Sequence, residues 1–161
     1  MEKLEFSRIM ERSILGTLQQ LSQQSSPDTG KVLNYFIRLE TELVVLIDGI
    51  GLNPKVYPVI DADKLLDDAD WKTVLECFAG SFEDCLPDLA AMWTLCSLQE
   101  NASQYYQQAA LHSSEPQQKI FYKSLAELRV IAKRRAESAN RIIYNMIWNK
   151  VGFAPFQLGK E

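Results

Sequence analysis

The sequence predicts an all-α protein in which two helical hairpins are joined by a long connector. Three observations carry this expectation. Apolar residues recur at helical spacing through most of the chain. Glycine and proline are scarce, with 7 Gly and 6 Pro in 161 residues, which favours helices over turn-rich architectures. Two serine-rich breaks ending in proline, Ser25-Ser26-Pro27 and Ser113-Ser114-Glu115-Pro116, read as tight turns between helices. A chain of 161 residues, 47% of them apolar, is long enough for one domain with a self-sufficient core.

The elements follow in order. Over residues 4–24 the pattern sets Leu4, Ile9, Ile14, Leu15, Leu18 and Leu21 on one side of a helix. Ser26 is placed to cap the next helix, with Pro27 at its first position and Asp28 in its first turn. That helix is expected to stop at Gly49-Ile50-Gly51, a C-cap sequence. Residues 51–70 break the pattern with Pro54, Pro58 and five aspartates, leaving room for one helical turn at 62–67. A third helix is expected from Asp70-Trp71, with a bend or restart at Cys85-Leu86-Pro87-Asp88, because proline disrupts a helix interior. It reaches His112, and a last helix covers 116–149. The expected single domain is therefore a hairpin at 4–50, a connector at 51–70, a hairpin at 71–149 and an aromatic tail at 150–161. Four long helices with one long connection are the arrangement of ferritin-like bundles, whereas an up-down bundle needs only a short middle loop. An irregular helical protein is the competing architecture.

Composition excludes several function classes. The single histidine, His112, leaves no three-histidine zinc site and no bis-histidine haem. The odd number of cysteines, three, points to a reducing compartment rather than a disulfide framework. The first twelve residues mix both charge signs and lack the apolar core of a targeting peptide. Leu43–Ile47 and Ile142–Trp148 are too short to span a membrane. A cytoplasmic location is expected, with no membrane association. A formal charge of -4 also disfavours nucleic acid as a partner.

The second hairpin holds the most specific pattern. It runs Leu98-Gln99-Glu100-Asn101-Ala102-Ser103-Gln104-Tyr105-Tyr106, then Ala109-Ala110, then Phe121-Tyr122 and Leu125-Ala126-Glu127. This resembles the rubrerythrin-like branch of the ferritin-like superfamily. The first hairpin fits more loosely, through Met10-Glu11, Leu21-Ser22, Phe36 and Leu39. An internal repeat is in keeping with this: laying Glu11 on Gln99 brings Leu21-Ser22 onto Ala109-Ala110 and Ser25-Ser26 onto Ser113-Ser114.

The resemblance implies a four-helix bundle whose centre, in the family, holds two irons between glutamates and histidines from both hairpins. Carried over by position, the first carboxylate falls on Glu11 and its counterpart on Gln99. The Glu-x-x-His of the first hairpin falls on Leu43 and Leu46, and that of the second on Arg129 and Ala132. Only Glu11 keeps a ligand. Arg129 is a permanent cation that repels metal. Glu11 and Arg129 are therefore expected to pair across the bundle, within about 6 Å, with Gln99 in hydrogen-bond reach. No metal is expected. The other acids near the centre are Glu40, Glu42, Glu100 and Glu127.

Other constellations are weaker. Cys77, Cys85 and Cys96 match no metal spacing and read as small buried residues. The aspartates at 61–70 lack the glycine and glutamate of a calcium loop, since Leu66 and Lys72 hold those positions, and read as helix caps. Residues 56–100 hold ten acids against two bases, and 119–150 eight bases against two acids, so the two segments should attract each other. Tyr105, Tyr106, Tyr122, Trp93 and Phe121 read as core. Trp148, Phe153 and Phe156 are candidates for packing on the bundle or for a homodimer seam. No nucleophile–base pair and no phosphate loop is present.

The function expected from the sequence is a non-catalytic, metal-free, structural or protein-interaction role, with an unidentified protein partner. Two alternatives stand beside it. One is a di-metal oxidoreductase or iron-binding protein with a non-standard site. The other is a small-ligand binder using the vacated bundle cavity.

Overall fold

A computed structural model describes residues 2–52, 56–77 and 86–150. Its helices are α1 (Lys3–Gln24), α2 (Pro27–Leu52), α3 (Ala62–Leu65), α4 (Asp68–Cys77), α5 (Leu86–Leu111) and α6 (Pro116–Lys150). No strand occurs among the described residues. The all-α expectation is met. None of these helices is long and apolar enough to cross a membrane.

Helix α1 buries Ser7, Glu11, Ile14 and Leu18, residues three or four apart that share one stripe. Ile9, expected in that stripe, is instead 50% exposed. Ser26 caps α2 as expected, its hydroxyl accepting from the Thr29 amide at 3.4 Å. The cap is itself held from outside. Asp88, in the first turn of α5, accepts from the Ser26 amide at 3.0 Å and from its hydroxyl at 2.7 Å.

Helix α2 runs to Leu52, close to the expected stop at Gly49-Ile50-Gly51. The Arg8 guanidinium of α1 lies over Gly51 and pairs with Asp48 at 3.2 Å. The buried face of α2 is Phe36, Leu39, Glu40, Leu43, Ile47 and Ile50.

The connector is more structured than the sequence suggests, and its aspartates cap its helices. Asp61 accepts from the Lys64 amide at 3.3 Å and Asp67 from the Asp70 amide at 2.9 Å. Trp71 of α4 packs against Tyr35 and Phe36 of α2, ring centroids 5.1 and 5.8 Å away. Arg135 of α6 donates to the Leu66 carbonyl at 2.7 Å, and Arg38 of α2 pairs with Asp70 at 2.6 Å. Helix α5 opens at Leu86, inside the Cys85-Leu86-Pro87-Asp88 stretch where a bend or restart is expected.

Helices α5 and α6 form the second hairpin. Its turn is held from α1, where the Lys3 ammonium donates to the His112 carbonyl at 2.6 Å. Each hairpin turn is therefore gripped by the first helix of the other hairpin. On α6 the stripe Ala132, Ala136, Ala139 and Ile143 is buried, and the small side chains admit close helix contact. Tyr106, Tyr122 and Phe121 are core, as expected, and Tyr105 is half-buried. Trp93 is not core; it is 52% exposed. The opposed charge segments do meet within the chain, through Arg135–Asp68 at 3.6 Å and Lys133–Glu100 at 2.5 Å.

Candidate functional site: a buried polar centre

The four long helices share one core, and a cluster of charged side chains lies inside it. Glu11 comes from α1, Glu40 from α2, Gln99 and Tyr106 from α5, and Arg129 from α6. All five have no exposed surface. Such a cluster persists in an apolar interior only if its charges are paired and its polar atoms bonded.

Arg129 is the hub. One of its terminal nitrogens, Nη1, donates to Glu40 Oε1 and, at 2.8 Å, to Gln99 Oε1. The other, Nη2, donates to Glu11 Oε2 and, at 2.9 Å, to Glu40 Oε2. The bond to Glu40 is the parallel two-pronged contact that a planar guanidinium makes with a carboxylate. Tyr106 completes the shell by donating its hydroxyl to Glu11 Oε1. Within this cluster, Arg129 Nε and Gln99 Nε2 find no hydrogen-bond partner among the described residues.

The two carboxyl groups behave differently. Burial acts to raise the Glu11 carboxyl, but the Arg129 charge and bonds from Glu40, Arg129 and Tyr106 outweigh it and hold the group below its ordinary range. Burial drives Glu40 well above that range; Arg129 opposes the rise and the Glu11 charge adds to it. Burial disfavours charge on Arg129 as well, yet its two carboxyl neighbours hold its proton more firmly than in water. Tyr106 stays a donor, because burial and the Glu11 charge both raise its hydroxyl.

Glu11, Gln99 and Arg129 thus lie in direct contact. Leu43 and Ala132 are fully buried on α2 and α6. Leu46 is not at the centre. It is partly buried and lines a groove of about 590 Å³ with Val45, Val59 and Leu65, between α2 and the connector. Leu46 sits at the edge of the core-facing stripe, about 60° around the helix from Leu43. Glu42 and Glu127 are exposed, and Glu100 pairs with Lys133 on the surface. Trp148 is half-buried, its ring centroid 6.1 Å from that of Tyr144. Phe153 and Phe156 lie outside the described residues, as do the side chains of Cys77 and Cys85. Cys96 is a half-buried free thiol that burial pushes up to about 11.

Sequence reasoning underrated two members of the cluster. Glu40 interrupts the apolar stripe Phe36, Leu39, Leu43 and Ile47. A charged residue on a core-facing stripe needs a buried partner, and that signal was available. Tyr106 read as core by its ring; nothing in its spacing specified where the hydroxyl points.

The residues present do not fit a di-metal centre. Such a centre needs several carboxylates free to neutralise its charge. Here both buried carboxyl groups are engaged by a guanidinium. Among the described residues no group of three or more His, Cys, Asp or Glu side chains is arranged to hold a metal ion. No family model matches the chain, and no curated protein or solved structure matches it either.

Proposed function

We propose that this chain is a metal-free protein of ferritin-like, four-helix-bundle architecture with a non-catalytic structural or protein-interaction role. The observation that carries this reading is the placement of Arg129. Its guanidinium sits where four helices converge, bonded to Glu11, Glu40 and Gln99. In the rubrerythrin-like pattern that the second hairpin resembles, this is the place of the metals. A permanent cation held by both carboxyl groups is the opposite of a metal pocket. Among the described residues no nucleophile–base pair offers an alternative chemistry. The role that remains is to hold a rigid helical body and present its surface.

A cytoplasmic location belongs with this proposal and is supported by the unpaired thiol of Cys96. So does self-association, with Trp148 and the aromatic residues Phe153 and Phe156 as the candidate seam.

Metal analysis of protein expressed with iron and manganese in excess tests the reading. Well under one ion per chain is expected. Two ions per chain that survive dialysis against a chelator would overturn it. Sedimentation equilibrium tests the homodimer separately, since a monomer at all accessible concentrations removes that part of the proposal and leaves the metal-free centre untouched.

A further inference from the structure

We infer that the buried centre binds one proton, shared between Glu11 and Glu40, and that this proton neutralises the centre at which the two hairpins meet. The basis is a charge count in a closed space. Two carboxyl groups and one guanidinium have no exposed surface. If both carboxyls were ionised, the centre would hold an uncompensated negative charge in a medium of low polarity, which is strongly unfavourable.

The groups facing Glu40 can be counted element by element. Helix α1 presents Glu11, α5 presents Gln99 and Tyr106, and α6 presents Arg129. Helix α4 also packs on α2, but its charged residues Asp68, Asp70, Lys72 and Glu76 are exposed. Arg129 is therefore the one cation that faces Glu40 from the described residues.

The geometry supplies the place for the proton. Glu11 Oε2 and Glu40 Oε2 both accept from the same nitrogen, Arg129 Nη2, which sets the two carboxyls side by side. A neutral carboxyl on Glu40 donates to ionised Glu11, so the charges cancel. The opposite directions in which burial and neighbours push Glu11 and Glu40 agree with this division.

The consequence is mechanical because the bonds from Arg129 to Glu11 and Glu40, and from Tyr106 to Glu11, cross from one hairpin to the other. Arg129 and Tyr106 belong to the second hairpin, and Glu11 and Glu40 to the first. The folded state holds the Glu40 proton, whereas an unfolded chain releases it in the ordinary glutamate range. Folding therefore takes up a proton, and stability falls as pH rises from that range until the folded Glu40 itself titrates. Charge count and proton position are independent of any partner the protein has.

The test is denaturant unfolding of the wild type and of Glu40→Gln at steps from mildly acidic to alkaline pH. Glutamine keeps the shape and has no proton to lose. The ratio of wild-type to variant unfolding constants is expected to rise about tenfold per pH unit across the window. A ratio independent of pH would overturn the inference. Glu11→Gln provides a second comparison, because it too leaves one carboxylate for one guanidinium and should give the same pH-dependent ratio. A measurement on the wild type alone needs no variant to fold. Infrared spectroscopy at neutral pH is expected to show the carbonyl stretch of one buried protonated carboxyl, and its absence would also reject the shared proton.

Discussion

Arg129 is bonded to Glu11, Glu40 and Gln99 at once, so its loss strands more than one buried group. A buried ion pair adds little net stability over a well-packed apolar pair, yet removing one partner strands the other. Arg129→Met keeps much of the side-chain volume and removes the charge. It is expected to cost about 3–5 kcal/mol at neutral pH, read by urea unfolding. The loss should shrink on acidification, because Glu11 and Glu40 can then both be protonated. An equal loss at every pH would mean that packing, rather than charge, dominates at this position. Tyr106→Phe removes one donor from Glu11 and leaves the ring in place. A cost of about 1–3 kcal/mol is expected from that lost bond, measured the same way. Glu11, Gln99 and Arg129 were legible in the sequence through the rubrerythrin-like pattern, whose ligand positions fall on them. Glu40 was legible only as a nearby acid, since its true partner lies on another helix 89 residues away.

Among the elements, the turns show how the hairpins are aligned. The Ser26–Pro27 start of α2 was predictable from local rules, since a serine hydroxyl caps the free amides of a first turn. The grip of Asp88 on Ser26 was not, because it joins residues 62 apart. Asp88 is 1% exposed and its carboxyl is bonded to both the Ser26 amide and hydroxyl. Asp88→Ala is expected to cost about 1–3 kcal/mol and to speed amide exchange in the first turn of α2. Unchanged exchange there would show that the serine cap is sufficient by itself. The end of α2 was also legible locally: its last residue, Leu52, lies within two residues of the expected stop at Gly49-Ile50-Gly51.

For the whole molecule, the polar centre makes the two hairpins mutually dependent. Residues 1–56 contain α1 and α2 with Glu11 and Glu40 on their buried faces. Without Arg129 and Tyr106 those carboxyls have no partner, and the apolar stripe around them has no cover. A peptide of residues 1–56 is expected to show no cooperative thermal transition by circular dichroism, whereas the full chain unfolds in one step. A cooperative transition in the peptide would assign the hairpin its own core. The second hairpin is in the same position, since its Arg129 would be a buried cation with neither carboxylate.

The sequence by itself determined the helical class, the two tight turns and the capping role of the aspartates. Each of these depends on residues within a few positions of one another, where backbone geometry and side-chain chemistry act directly. Only the tertiary structure decided what the buried charges do. It brought Glu40 and Tyr106 to Arg129 and turned Leu46 and Trp93 away from the centre. Those outcomes depend on how four helices are rotated against one another. A rotation of part of a turn exchanges a buried side chain for an exposed one, and its angle is fixed by contacts between distant segments.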